Sequence, residues 1–254
     1  MKPSILLAAG CSWTFGKNVN PKFTFAQQLQ HKLGIDQFCS VAKNGSNNTT
    51  QLQQITNFIN DNGNQYSKIF VLWGLTSIYR WEMYSTTTNQ VEECMVGKDF
   101  PDSELGKEIK YYFSHFFNAD YELSKLGKQI ILLNGYLKSL EIDHLIFNSF
   151  QGYNNKDLQI NDVDGNYFYQ VKEKNNDMLS FLCRVSNTKI STSKLPWLNL
   201  ARNSADEQFN NSSIKELQSA GLLDTVDAHP TVQAHELIAN ELYDYIKEKN
   251  NERI

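Results

Sequence analysis

The chain has 254 residues, 41% of them hydrophobic and 12% aromatic, which suits one α/β domain with a sizeable core and argues against a disordered chain. A formal net charge of −4 gives no electrostatic footprint for nucleic acid, and no apolar run approaches the roughly 20 residues of a membrane span. The four cysteines, Cys11, Cys39, Cys94 and Cys183, show no pairing or metal-ligand spacing, and read as reduced thiols of a cytoplasmic protein without a metal or other cofactor.

Residues 4–9 read as a short buried strand closed by Gly10. The stretch Leu6-Leu7-Ala8-Ala9-Gly10-Cys11 superficially looks like a lipoprotein cleavage site. Its apolar run is only about half of the usual stretch of roughly 7–15 residues, and cleavage would remove the strand that presents Ser12. Phe25, Leu29 and Leu33 then recur at helical spacing, with Gly34 as the stop. A strand over about 37–42 ends at Asn44-Gly45, and Leu52, Ile55 and Ile59 mark a helix that stops near Gly63. Residues 68–73 form a third strand, closed by Gly74.

The polar region 85–104 reads as a loop or small excursion, and 105–141 as long helical structure broken near Gly127 or Gly135. Residues 144–150 form a fourth strand. Residues 151–215 are rich in Asn, Asp, Ser and Lys and read either as a lid or as a surface insertion within one domain spanning 1–254. In the last helix Pro230 takes the first position, and Ala234, Leu237, Ile238, Leu242, Tyr245 and Ile246 make the apolar face.

Strands alternating with helices imply a mostly parallel sheet covered on both faces, in which ligands bind at the carboxyl ends of the strands. Four short stretches fall on loops: Gly10-Cys-Ser12, Asn44-Gly45-Ser46-Asn47, Gly74-Leu-Thr76 and Asp227-Ala-His229-Pro230. The first three follow the first three strands and should reach one edge of the sheet. Together the four supply a hydroxyl nucleophile, turns with free backbone N–H groups, a base and an acid to orient it, the parts that acyl transfer needs.

In this order the blocks resemble those of SGNH/GDSL-type hydrolases, a family of esterases and lipases. The resemblance implies a three-layer α/β/α sandwich with a mostly parallel, flavodoxin-like sheet. Ser12 takes the nucleophile position, Gly45 the oxyanion-hole glycine, and Asp227 with His229 the acid and base. Three departures stand out. Cys11 replaces the usual aspartate before the serine. Thr76 replaces the asparagine of Gly-X-Asn, so that a hydroxyl stands where an amide donor is expected. Asp227 lies two residues before His229 where the family pattern has three, and Asp224 lies five before.

The implied reaction cleaves a carboxylic ester through an acyl-serine. Its substrate by analogy is a short acyl group on a carbohydrate or other small alcohol, with Asn47 and Thr76 assisting the oxyanion. Acyl transfer to another acceptor uses the same residues, and an inactive binding module on the same fold is the alternative that the Thr76 change favours. Arg80 reads either as the ion-pair partner of Glu82 or as a contact for an anionic substrate group. Trp13, Trp73 and Trp81 read as core or pocket wall, and His235 as a structural histidine rather than a metal ligand.

Overall fold

The structure is a computed structural model, and it describes residues 2–95, 103–160, 168–169, 177–188 and 212–251. The first half alternates as its apolar runs dictate: β1 (Ser4–Ala9), α1 (Ser12–Phe15), α2 (Phe25–Lys32), β2 (Gln37–Ser40), α3 (Asn48–Asn62) and β3 (Lys68–Leu75). There follow β4 (Arg80–Ser85), β5 (Gln90–Met95), α4 (Glu104–His115), α5 (Ala119–Ser139), β6 (Asp143–Asn148) and β7 (Phe168–Tyr169). The remaining described helices are α6 (Met178–Val185), α7 (Ser212–Ser219) and α8 (Val232–Asn251).

The main sheet runs β2-β1-β3-β6-β7, and every neighbouring pair is parallel. Counting only its own strands, that is the flavodoxin-like order, whose switch point lies where the chain leaves β1 for strands on either side. The period-two geometry of the strands sorts side chains into two cores. Ile5, Leu7 and Ala9 of β1 join Ile69, Val71 and Trp73 of β3 under α3 and α5. Leu6 and Ala8 join Phe70, Leu72, Leu145 and Phe147 under α2, α6, α7 and α8. Helices on both faces of a parallel sheet make the three-layer α/β/α sandwich. None of the helices among the described residues is long and apolar enough to cross a membrane.

Several expectations need correcting. β3 does not stop at Gly74 but runs through it to Leu75, and Gly74 pairs with Phe147. A Cβ there would lie 2.7 Å from Thr14 Oγ1, 2.8 Å from Phe147 Cζ and 2.9 Å from Ser149 Oγ, so this glycine serves close approach and not a turn. Gly74→Ala should cost about 1–3 kcal/mol through overpacking, read as a lower urea midpoint at unchanged slope. A midpoint equal to the wild type's would show that the three neighbours yield freely.

Residues 85–95 belong to an antiparallel β4–β5 hairpin outside the main sheet, the small excursion and not the plain loop of the two alternatives, with Asn89 in the left-handed region at its turn (φ 55°). Glu108 of α4 accepts hydrogen bonds from the Ser85, Thr86 and Thr87 hydroxyls (2.7, 3.2 and 2.6 Å), and Trp81 stacks on Tyr112 and Phe113. Residues 96–102 of the expected loop lie outside the described residues. The helical stretch breaks at 116–118, and α5 passes unbroken through Gly127 and Gly135. Asn118 caps α5 by accepting the Tyr121 N–H (2.9 Å), whereas a Cβ on Gly127 would sit 2.0 Å from the Leu158 carbonyl oxygen.

Pro230 forms a bridge with Leu223 and precedes the last helix, which starts at Val232. The described parts of 151–215 are built into the body of the fold. Tyr153, Leu158 and Ile160 lie in one core, Met178, Phe181, Leu182 and Ile214 in the other, and β7 extends the sheet. The lid reading of 161–167, 170–176 and 189–211 lies outside the described residues.

Candidate active site

Each strand end delivers a loop to the same edge. After β1, Gly10 turns the chain into α1, and a Cβ at Gly10 would fall 2.1 Å from Thr14 Oγ1. Cys11 occupies the N-cap of α1 and Ser12 its first position, with Ser12 buried. The chain after β2 is held against this turn, because the Lys43 N–H donates to the Gly10 carbonyl (3.1 Å). Gly45 follows in the left-handed region (φ 86°), which only glycine enters without strain.

The end of β3 is clamped at Thr76. Asn48 donates its Nδ2 to the Thr76 carbonyl and accepts the Thr76 N–H at Oδ1, both at 2.9 Å. Tyr153 adds a third tie, donating to the same carbonyl (3.0 Å) while accepting the Ile78 N–H (2.8 Å). The Thr76 side chain is fully buried, and its hydroxyl has no hydrogen-bond partner among the described residues.

Asp224, Asp227 and His229 lie on the loop before α8. Asp224 folds that loop: its Oδ1 accepts the N–H groups of Val226 (2.9 Å) and Asp227 (2.8 Å), and its Oδ2 that of His229 (3.3 Å). Ala228 sits in the left-handed region (φ 56°), uncommon for a residue with a Cβ. Across it, His229 Nδ1 lies 2.6 Å from Asp227 Oδ1, a close contact without hydrogen-bond geometry. Of the two carboxylates, Asp227 is therefore the one in contact with the His229 ring, while Asp224 accepts backbone N–H groups of the loop.

Residues just past Ser12 reach the same acid. The Ser12 carbonyl accepts the N–H groups of Gly16 (3.0 Å) and Lys17 (3.1 Å), with Gly16 at φ 75°. Lys17 Nζ forms an ion pair with Asp227 Oδ2, and Asn18 Nδ2 donates to Asp227 Oδ1 (3.3 Å) and Asp224 Oδ2 (3.4 Å). Burial works to raise the Asp227 pKa, but the Lys17 ammonium and the His229 ring beside it outweigh burial and hold the carboxyl below the usual carboxylate range. Asp224, Asp227 and His229 offer ligand atoms within 4.8 Å of one another. The Asp224 oxygens accept backbone N–H groups, and Asp227 faces the Lys17 ammonium.

The other site expectations divide. Asn47 uses its side chain as the cap of α3, accepting the Thr50 N–H and donating to Thr50 Oγ1, both at 2.9 Å. Arg80 and Glu82 form no ion pair; Glu82 instead accepts the Thr50 hydroxyl (2.8 Å). The Arg80 guanidinium lies over the Phe150 ring (5.2 Å), and its Nε and Nη1 are buried without a partner among the described residues. Phe150 in turn packs on Trp13 (ring centroids 5.7 Å), the residue after Ser12.

Of the two readings of the tryptophans the core one holds: Trp13, Trp73 and Trp81 are buried, each in a separate apolar cluster. His235 is structural, as expected: Nδ1 accepts the Phe25 N–H (3.1 Å), the ring stacks on Phe25, and burial pushes its pKa down to about 4. All four cysteines are free, and burial pushes Cys94 up to about 11 and Cys183 up to about 12, which makes both poor nucleophiles.

Lys17, Asn18, Asn48 and Tyr153 are the residues that sequence reasoning missed. Asn48 adjoins the glycine turn and Lys17 follows Gly16, so both were within reach of the motifs. Their partners lie too far along the chain to be read from it.

No protein-family model and no curated protein sequence matches the chain. Among solved structures it is similar to the psychrotrophic esterase EstA from Pseudoalteromonas sp., at 12% identity over 97% of this chain and 98% of that one, with a TM-score of 0.45. It is also similar to TesA (9% identity, 96% and 99% covered, TM-score 0.44). A third likeness is to a G-D-S-L family lipolytic protein from Desulfitobacterium hafniense (10%, 95% and 98%, TM-score 0.42).

Proposed function

We propose that the protein is a serine-dependent hydrolase of carboxylic esters, acting through an acyl-serine formed on Ser12. The observation that carries this reading is the Asp227–His229 contact of 2.6 Å on a loop tied by Lys17 and Asn18 to the turn that carries Ser12. His229 takes the Ser12 proton as Oγ attacks the acyl carbon, and Asp227 orients the ring and stabilises the imidazolium. Backbone N–H groups of Ser12 and Gly45 hold the oxyanion. His229 then returns its proton to the departing alkoxide. Water, activated by the same histidine, releases the carboxylic acid and restores Ser12.

The substrate class in this reading is a short acyl group on a carbohydrate or other small alcohol, with Arg80 available to an anionic group. Acyl transfer to a second alcohol would follow the same first step. The four unpaired thiols favour a cytoplasmic setting. One observation favours a second reading, a binding module without turnover: at Thr76 a buried hydroxyl without a partner among the described residues stands where an amide donor to the oxyanion is expected.

Covalent labelling separates the two. A fluorophosphonate probe should modify the folded protein once, at Ser12, as located by peptide mass spectrometry. A folded protein that stays unlabelled, or is labelled elsewhere, overturns the hydrolase reading and leaves the binding module.

A further inference from the structure

Between the start of α3, the first residues of β4 and one face of α5 lies a cavity of about 20 Å³, with Asn48, Arg80, Trp81, Glu122 and Lys125 in its lining. Three N–H donors of these lining residues are buried without an acceptor among the described residues: Arg80 Nε and Nη1, and Trp81 Nε1. Neither side chain is free to turn away. Trp81 is 4% exposed and its ring stacks on Tyr112 and Phe113, while the Arg80 guanidinium lies over Phe150. We propose that this cavity is a carboxylate subsite, in which Arg80 and Trp81 donate to an incoming carboxylate group. Its use in the reaction rests on the hydrolase reading above, which it deepens by giving the anionic group a chemistry and a place.

A buried donor without an acceptor costs its full desolvation, and folded proteins keep few of them. Three on two adjacent residues beside one cavity favour an acceptor that enters from outside. The guanidinium makes an anionic acceptor the stronger one. Asn48 and Thr49 of the lining belong to the first turn of α3, where the helix dipole also favours negative charge. Against this stands one carboxylate of the lining, Glu122, which Lys125 faces at 3.4 Å. Size narrows the class, since about 20 Å³ holds a group of roughly one water's size. A carboxylate oxygen enters such a space, whereas a tetrahedral phosphate or sulfate does not. The cavity also adjoins the turn of the nucleophile. Asn48 ties its wall to Thr76 at the end of β3, and Phe150 under the guanidinium packs on Trp13, the residue after Ser12.

The test titrates sodium acetate into the full chain and follows the Trp81 indole N–H by heteronuclear NMR, assigned by its loss in Trp81→Phe. Sodium chloride at equal ionic strength is the control. Acetate should move the signal saturably, and chloride should not. Arg80→Met keeps an apolar cover on Phe150 and should weaken acetate binding by about tenfold or more. Arg80→Gln should behave alike, and replaces it if the methionine variant does not fold. A Trp81 signal that acetate leaves in place, that chloride moves equally, or that stays as sensitive in the Arg80 variants overturns the proposal. Hydrolysis then distinguishes a carboxylate of the substrate from a free one. p-Nitrophenyl hydrogen succinate and p-nitrophenyl butyrate differ by a carboxylate in place of a methyl group. A higher kcat/KM for the succinate, lost in Arg80→Met, assigns the subsite to the substrate, and equal values beside intact acetate binding assign it to a free carboxylate. Absence of turnover with either ester would sink the hydrolase reading, while the acetate titration still decides the subsite.

Discussion

Ser12→Ala should remove esterase activity almost entirely, lowering kcat toward p-nitrophenyl acetate by a factor on the order of 10⁴–10⁶. The loss should come without unfolding. Ser12 supports its turn through the main chain, where its carbonyl accepts from Gly16 and Lys17, and alanine keeps both bonds. The melting temperature should therefore stay within about 3 °C of the wild type. The neighbouring thiol offers no substitute nucleophile, since Cys11 is fully buried at the cap of α1. His229→Ala should fall by a comparable factor, because serine and base act as one unit and their losses do not add. Turnover that survives in Ser12→Ala would remove this serine as the nucleophile. Equal low rates in wild type and both variants, all folded, would favour the binding module.

What the sequence made legible follows from where the chain's information is local. β1 and β3 are continuous apolar runs because both of their faces are covered, and such runs announce themselves. The turn glycines also reveal loops, yet the same residue misleads where its purpose is space. Gly74 admits Thr14, Phe147 and Ser149, and Gly127 admits the Leu158 carbonyl, so neither interrupts its element. The β4–β5 hairpin escaped notice because polar Thr86, Thr87 and Thr88 hide a turn that is held by Glu108 from a later helix. The contribution of Lys17 and Asn18 was illegible for the same reason. Their partner Asp227 lies more than 200 residues further on, and only the folded sheet edge brings them together.

The choice between two nearby carboxylates shows what geometry adds to a motif. Asp227→Asn should lower kcat by about 10⁴-fold, because an amide beside His229 Nδ1 no longer enforces the tautomer that leaves Nε2 free to accept the serine proton. It also deprives the Lys17 ammonium of its counter-ion, so the turn behind Ser12 loses a tether at the same time. Asp224→Asn should cost less than about tenfold in kcat, since an amide oxygen in place of Oδ1 still accepts the Val226 and Asp227 N–H groups. Its penalty should appear mainly as stability, through the weakened ties from Oδ2 to His229 N–H and Asn18. The measurement is kcat at saturating p-nitrophenyl acetate, with a urea midpoint for each variant. If Asp224→Asn instead suffers the 10⁴-fold loss while Asp227→Asn keeps its turnover, the acid is Asp224. The left-handed Ala228 would then serve only the path of the loop, and the 2.6 Å contact between Asp227 and His229 would have no part in orienting the base.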